Sequence, residues 1–191
     1  MSTNPSTPIL LSELIGIAKK WKIEFKLELV PSEGRNSLGQ TRPERNAHVQ
    51  VLIDGRELDL EVGWDLLAIV ASGRRPGGYY IGNCGCGEPG CSSIWHPMMV
   101  RHCGDSVTWS VPTPYSRKQS NNSPQEMVEL SFDLMLYQSQ SDGLVADFRR
   151  AATDAGALVR LNCYPGNLPL SLIAESDKGW EGYGGREDLP E

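Results

Sequence analysis

Apolar residues recur along this chain with two different periods, and the switches between them outline the fold. Leu10, Leu11, Leu14, Ile15, Ala18 and Trp21 fall at helical spacing behind Thr7-Pro8. That pair reads as an N-cap followed by proline at the first helical position, so the pattern predicts an amphipathic helix over about 8–21. The period then changes to two. Ile23, Phe25, Leu27 and Leu29 alternate with Glu24, Lys26 and Glu28, as in a half-buried antiparallel strand. Residues 31–46, polar and carrying Gly34, Gly39 and Pro43, read as a long surface loop. Val49, Val51 and Ile53 alternate again before Asp54-Gly55, a two-residue hairpin signal, and Leu58, Leu60 and Val62 mark the return strand. A hairpin is therefore expected over 47–62.

A short apolar helix is expected over about 63–72, ending at Gly73, and then a brief strand at Tyr79–Ile81. Met98–His102 and Val107–Val111 flank Gly104-Asp105 and suggest a second hairpin, with Val107, Trp109 and Val111 on its apolar face. Pro112 to Gln125 reads as another polar loop. Its Asn121-Asn122-Ser123 matches a glycosylation acceptor, which carries no meaning without a secretion signal. Val128, Leu130 and Phe132 mark a strand, and Leu144, Phe148, Ala151, Ala152 and Ala155 mark an amphipathic helix running to Gly156. Leu158–Leu161 is a last strand or docking segment, and there is no internal repeat. Together these elements predict an α+β domain with a mainly antiparallel sheet, flanking helices and, between strands, a knuckle rich in cysteine and glycine. The expected organisation is a disordered lead-in over 1–7, a single domain over 8–174 and a loosely ordered acidic tail over 175–191.

Length and composition narrow the picture. A chain of 191 residues with 39% hydrophobic and 22% charged residues can bury a core of its own. The net charge of −6 disfavours a duplex nucleic-acid binder, which relies on a basic face to displace counterions. From Glu175 to Glu191 there are six acidic and two basic residues, so most of that charge sits in the tail. No apolar run approaches the length of a membrane span, and the N-terminus lacks the basic start and apolar block of a signal peptide. The expected compartment is the cytoplasm, with no membrane partner. Five cysteines, an odd number, fit poorly with a closed secreted disulfide set.

The candidate chemistry lies in Cys84-Gly-Cys86-Gly-Glu-Pro-Gly-Cys91, which packs three of those five cysteines into eight residues. Glycine and proline there can neither continue a helix nor pair as a central strand. Three nearby thiolates plus one further Cys or His can complete a tetrahedral structural zinc site, and the fourth ligand is Cys103 or His96, with His102 behind them. On the strand that includes Val100, His102 shares that residue's face and Cys103 points the other way. The competing readings are reduced thiols packed in a glycine-rich turn, and a redox or disulfide role. A bridge between Cys84 and Cys86, only two apart, would be strained. Gly85-x-Gly87-x-x-Gly90 also fits a dinucleotide-binding pattern, but Pro89 and the Ser-Ser-Ile-Trp-His-Pro continuation deny it the helix it needs.

Tyr79-Tyr80-Ile81 leading into Cys84-x-Cys86-Gly-x-x-Gly-Cys91, then Gly104-Asp105-Ser106-Val107-Thr108-Trp109 and Phe132-Asp133…Tyr137, resembles a widespread group of uncharacterised bacterial proteins. In that group an apolar strand enters a "CxxCG-x-x-GC"-like turn, followed by a "G-D-x-V-x-W" hairpin and a helix that starts "F-D…Y". The resemblance covers about residues 79–137. The chain departs from the pattern in having one residue between its first two cysteines and in the inserted Trp95-His96-Pro97. The group brings no settled activity with it. Some small acidic bacterial proteins of this look act as immunity proteins in toxin systems, and the resemblance implies that role here.

Other candidates for chemistry have plainer explanations. Cys163 has no local base to activate it and reads as a buried core cysteine, and His48 as an edge residue. Asp59 and Glu61 fall on the outward face of the first hairpin. Trp95, Tyr115, Trp180 and Tyr183 sit in segments with no apolar periodicity and are candidate anchors for a protein partner. Net negative charge without a catalytic constellation, together with these aromatics, points to a non-catalytic bacterial interaction protein. Most specifically it points to an immunity-type inhibitor that binds a basic toxin domain. The competing expectation is a zinc- or thiol-dependent enzyme centred on Cys84, Cys86 and Cys91.

Overall fold

The computed structural model of the chain describes residues 7–35, 39–60, 62–83, 97–113, 126–154 and 158–161. The first strands in chain order are β1 (Ile9–Leu10), β2 (Lys20–Trp21), β3 (Ile23–Arg35), β4 (Thr41–Ile53), β5 (Arg56–Asp59) and β6 (Gly63–Trp64). Helix α1 (Leu66–Arg74) separates these from β7 (Gly77–Tyr79), β8 (Gly82–Asn83), β9 (Met98–Cys103), β10 (Ser106–Thr113) and β11 (Glu126–Asp133). Helix α2 (Leu134–Asp154) and β12 (Leu158–Leu161) complete the described chain. The fold is α+β.

One five-stranded sheet has the order β1-β5-β4-β12, with β3 on the other side of β4. A second has the order β2-β11-β10-β9-β7, and β6 and β8 form a small ribbon. The ladders β3·β4, β10·β11 and β9·β10 are antiparallel, as the alternation predicts. Both expected hairpins form. Asp54 (φ 50°) and Gly55 (φ 79°) take the left-handed conformations of a tight two-residue turn, and Gly104 (φ 58°) does so in the other. The first hairpin is short, however. After Ile53↔Arg56 and Leu52↔Glu57, β5 leaves β4 to pair in parallel with β1.

Aromatic side chains join the two sheets through the first turn of α2. Tyr137 stands edge-on to Phe25 of β3 (centroids 5.2 Å) and to Trp109 of β10 (5.8 Å). Trp109 in turn meets Phe132 at 5.2 Å and Trp64 at 6.1 Å. The same contacts give the sequence motifs a physical meaning. Asp133 caps α2 by accepting the Leu136 amide (2.9 Å), while Phe132 and Tyr137 on either side of it are buried. Asp105 fastens the hairpin to α2, because its carbonyl accepts the Leu134 amide (2.8 Å), and to β2 through Lys20 (3.1 Å).

Three expectations need correction. Residues 8–21 are not a helix: they form β1, a 3-10 turn over Leu11–Leu14, and β2. Gly16 (φ 72°) interrupts the window, and Ile9 and Trp21 gain more as strand residues, paired with Leu58 and Phe132, than a short helix offers. Of the expected loop over 31–46, residues 31–35 and 41–46 are strand, since the β3·β4 ladder runs from Ile23↔Ile53 to Arg35↔Thr41. Its prolines do no harm there. Asp54 donates its amide to Lys22 O (2.8 Å), which fixes the alternation: even-numbered residues bond across the ladder and odd-numbered ones turn their amides outward. Pro31 and Pro43 both fall at outward positions. Finally, α2 begins at Leu134, well before the predicted start at Leu144, because Asp133 supplies the cap.

Candidate functional site

Most of the predicted site lies outside the described residues: Cys84, Cys86, Cys91, Trp95, His96, Tyr115, Trp180 and Tyr183 all do, as do residues 1–6 of the expected lead-in over 1–7 and the acidic tail. What is described is the frame around the cysteine segment. Strand β7 pairs with β9 as far as Tyr79↔Met98, and β8 pairs with β6. The segment 84–96 therefore leaves from the β6·β8 ribbon and rejoins at the start of β9. Cys103 is an exposed free thiol at the far end of that strand. At about 3.4 Å per residue it stands about 17 Å beyond Met98, whereas His96 is two residues from Met98 in sequence.

His102 points to the opposite face from Cys103, as expected, and is half-buried. Its Nε2 lies 2.8 Å from the carbonyl of Ser72. A carbonyl can only accept, so Nε2 carries the proton and donates. The bond belongs to a polar knot at the C-terminus of α1, where helix carbonyls have no partners of their own. Tyr137 Oη reaches Ile69 O (3.2 Å) and Ser72 Oγ (2.8 Å), Gln138 Nε2 donates to Gly73 O (2.8 Å), and Tyr79 Oη donates to Arg75 O (2.9 Å). Burial, opposed by the hydrogen bond to Ser72, pushes the Tyr137 hydroxyl far above its ordinary value of 10.0, so it stays protonated. The knot ties α1, α2, β7 and β9 together. Its centre, Ser72, Tyr79 and Tyr137, is buried, and its bonds brace the helix end. Among the described residues no group of three His, Cys, Asp or Glu side chains could hold a metal ion, and no helix is long and apolar enough to cross a membrane.

Sequence reasoning missed a feature of the N-terminal segment. Because residues 8–21 are not helical, only Ile9, Leu11, Leu14 and Trp21 are buried, while Leu10 (48% exposed), Ile15 (36%) and Ile17 (42%) face outward. The helical reading assigned Leu10 and Ile15 to a buried stripe. Gly16, between two isoleucines, was the signal that the stripe breaks. The exposure is not fraying, because the segment is clamped. Arg56 donates to Thr7 O and Pro8 O (both 3.1 Å) and pairs with Glu13 at 3.4 Å, while Leu10 donates its amide to Glu13 Oε1 (3.0 Å).

The Leu10 amide, opposed by desolvation and aided by Arg56, holds the Glu13 carboxyl below its ordinary value of 4.5. A carboxyl depressed on folding contributes stability above its unfolded pKa and loses it as pH falls through the folded value. Amide exchange at Leu10 is therefore expected to accelerate below about pH 4, ahead of global acid unfolding. A Glu13→Gln protein with the same pH profile as the parent would contradict this.

No family model, curated protein or solved structure matches the chain.

Proposed function

We propose that this protein is a non-catalytic bacterial interaction protein of the immunity type, which binds a cognate toxin and neutralises it. The observation that carries the reading is the segment Leu10–Ile17, clamped at its start by Arg56 and Glu13 and tied by the Ile17 amide to Leu14 O, with Leu10, Ile15 and Ile17 exposed. Exposed aliphatics on a rigid element suit a protein interface, since little ordering entropy is lost when they are covered. The acidic stretch from Glu175 to Glu191 adds long-range attraction for a basic partner. Trp180 and Tyr183, within that stretch, and Trp95 and Tyr115 elsewhere, are the aromatic anchors this reading assigns to the partner. The test is co-expression with the product of the neighbouring gene. Growth rescue and a co-purifying complex are expected, and failure of both would overturn the proposal.

On this reading zinc is structural, held by Cys84, Cys86 and Cys91 with His96 as the fourth ligand in preference to Cys103, which stands at the far end of β9. About one zinc per chain is expected by elemental analysis, with a lowered melting temperature in the triple Cys→Ser protein. Metal-free protein whose melting temperature ignores those substitutions would remove zinc from the account.

A further inference from the structure

β3, with β4 one of the two longest strands of the first sheet, has a paired strand on one side only, and α2 packs against it. Among the described strands β3 pairs with β4 and with nothing else, over the full length Ile23–Arg35. The alternation fixed by Asp54 and Lys22 means that Phe25, Leu27 and Leu29 turn their N–H and C=O groups toward this open side. Pro31 closes that row, because its outward position lacks a donor. Leu27 and Leu29 are only partly buried, whereas Ile23 and Phe25 are already 0% and 7% exposed. On the other face of the strand Lys26 lies exposed between Glu24 and Glu28. Glu24 is engaged by Lys22 (2.6 Å), but Lys26 makes no ion pair among the described residues.

We infer that β3 pairs with β3 of a second copy of this chain, antiparallel about a two-fold axis through Leu27. Three constraints select this register. The axis must fall on a residue and not between two, so that the outward-turned odd positions of one copy meet the outward-turned odd positions of the other. Centred on Leu27, the pairing bonds Leu27 to its own copy and Phe25 to Leu29 of the second copy, and covers the two leucines that remain part-exposed. It also sets Lys26 opposite Glu28 of the second copy, twice by symmetry. A centre at Lys26 would oppose Lys26 to itself. A centre at Phe25 would spend the contact on side chains already buried. The result is a continuous sheet across the two-fold axis, built on a surface separate from the Leu10–Ile17 segment, so either proposal can fail without the other.

Sedimentation velocity over a range of protein concentrations tests the inference. The mass is expected to rise toward twice the 21.0 kDa of one chain. Lys26→Glu, which puts like charges opposite each other at two places, is expected to weaken the dimer about tenfold or more. Lys26→Glu combined with Glu28→Lys is expected to restore it. Both side chains are exposed, so melting temperatures at low concentration should stay close to that of the parent. A monomer at every concentration would overturn the proposal and make Lys26 a guard against edge pairing. So would a dimer that ignores Lys26→Glu, or one that the charge swap does not restore.

Discussion

Trp109→Ala is expected to cost about 3–5 kcal/mol, the range for emptying a large aromatic site in a packed core. Trp109 is fully buried, contributes to both faces of the aromatic column and lies between Val100 and Leu130 in its own sheet. Its loss removes the contacts to Phe132, Trp64 and Tyr137 at once, and with them the link from the second sheet to Tyr137 and on to Phe25. For a chain of this size the melting temperature should fall by on the order of 10 °C. Trp109→Phe separates packing from polarity. The Trp109 indole nitrogen is buried without a hydrogen-bond partner, so replacing it discards an unpaid donor along with some area. The phenylalanine protein is therefore expected to lose clearly less stability than the alanine protein. Equal losses in the two variants by urea denaturation would show that the column is not what holds the sheets together.

Gly73→Ala is the second large effect, and its sign runs against helix propensity. Alanine favours a helix interior by about 1 kcal/mol over glycine, and Gly73 lies within α1 at an ordinary backbone angle. A Cβ there would stand 2.9 Å from two ring carbons of Tyr137. That ring cannot swing aside. Its hydroxyl is held by Ser72 and Ile69, and its faces and edges meet Phe25, Trp109 and Phe132. Overpacking of this kind costs about 1–3 kcal/mol, so a net loss is expected despite the propensity gain. A thermal melt in which Gly73→Ala equals or exceeds the parent would mean that α1 and α2 separate easily, and the polar knot would lose its role as a rigid support.

The parts of the fold that were legible in the sequence are those where one face is core and the other water. Ile23–Leu29, Val49–Ile53 and Val107–Val111 alternate cleanly, and their strands and turns fall where the alternation puts them. The misreadings came where tertiary pairing overrode a local pattern. Six apolar residues in 8–21 imitate a helical stripe, yet Ile9 is buried beside Leu58 and Trp21 beside Phe132, contacts between residues far apart in the chain. The prolines and glycines of 31–46 read as loop because sequence alone does not say which side of a strand a missing donor faces. The start of α2 was hidden by the absence of apolar period before Leu144, and the cap at Asp133 settles it. The cysteine segment carries candidate chemistry in its residue types, and its geometry lies outside the described residues. The described frame adds that β9 separates Cys103 from the place where that segment rejoins the sheet.

The segment that sequence reading buried is the one the functional proposal uses, and binding to it can be measured directly. Titration calorimetry of the purified protein with the purified product of the neighbouring gene is the decisive measurement, run beside a variant with Leu10, Ile15 and Ile17 changed to serine. The account predicts saturable binding by the parent, at least a hundredfold weaker binding by the variant, and matching melting curves for the two, since all three side chains face outward. Undiminished binding by a folded variant would contradict it.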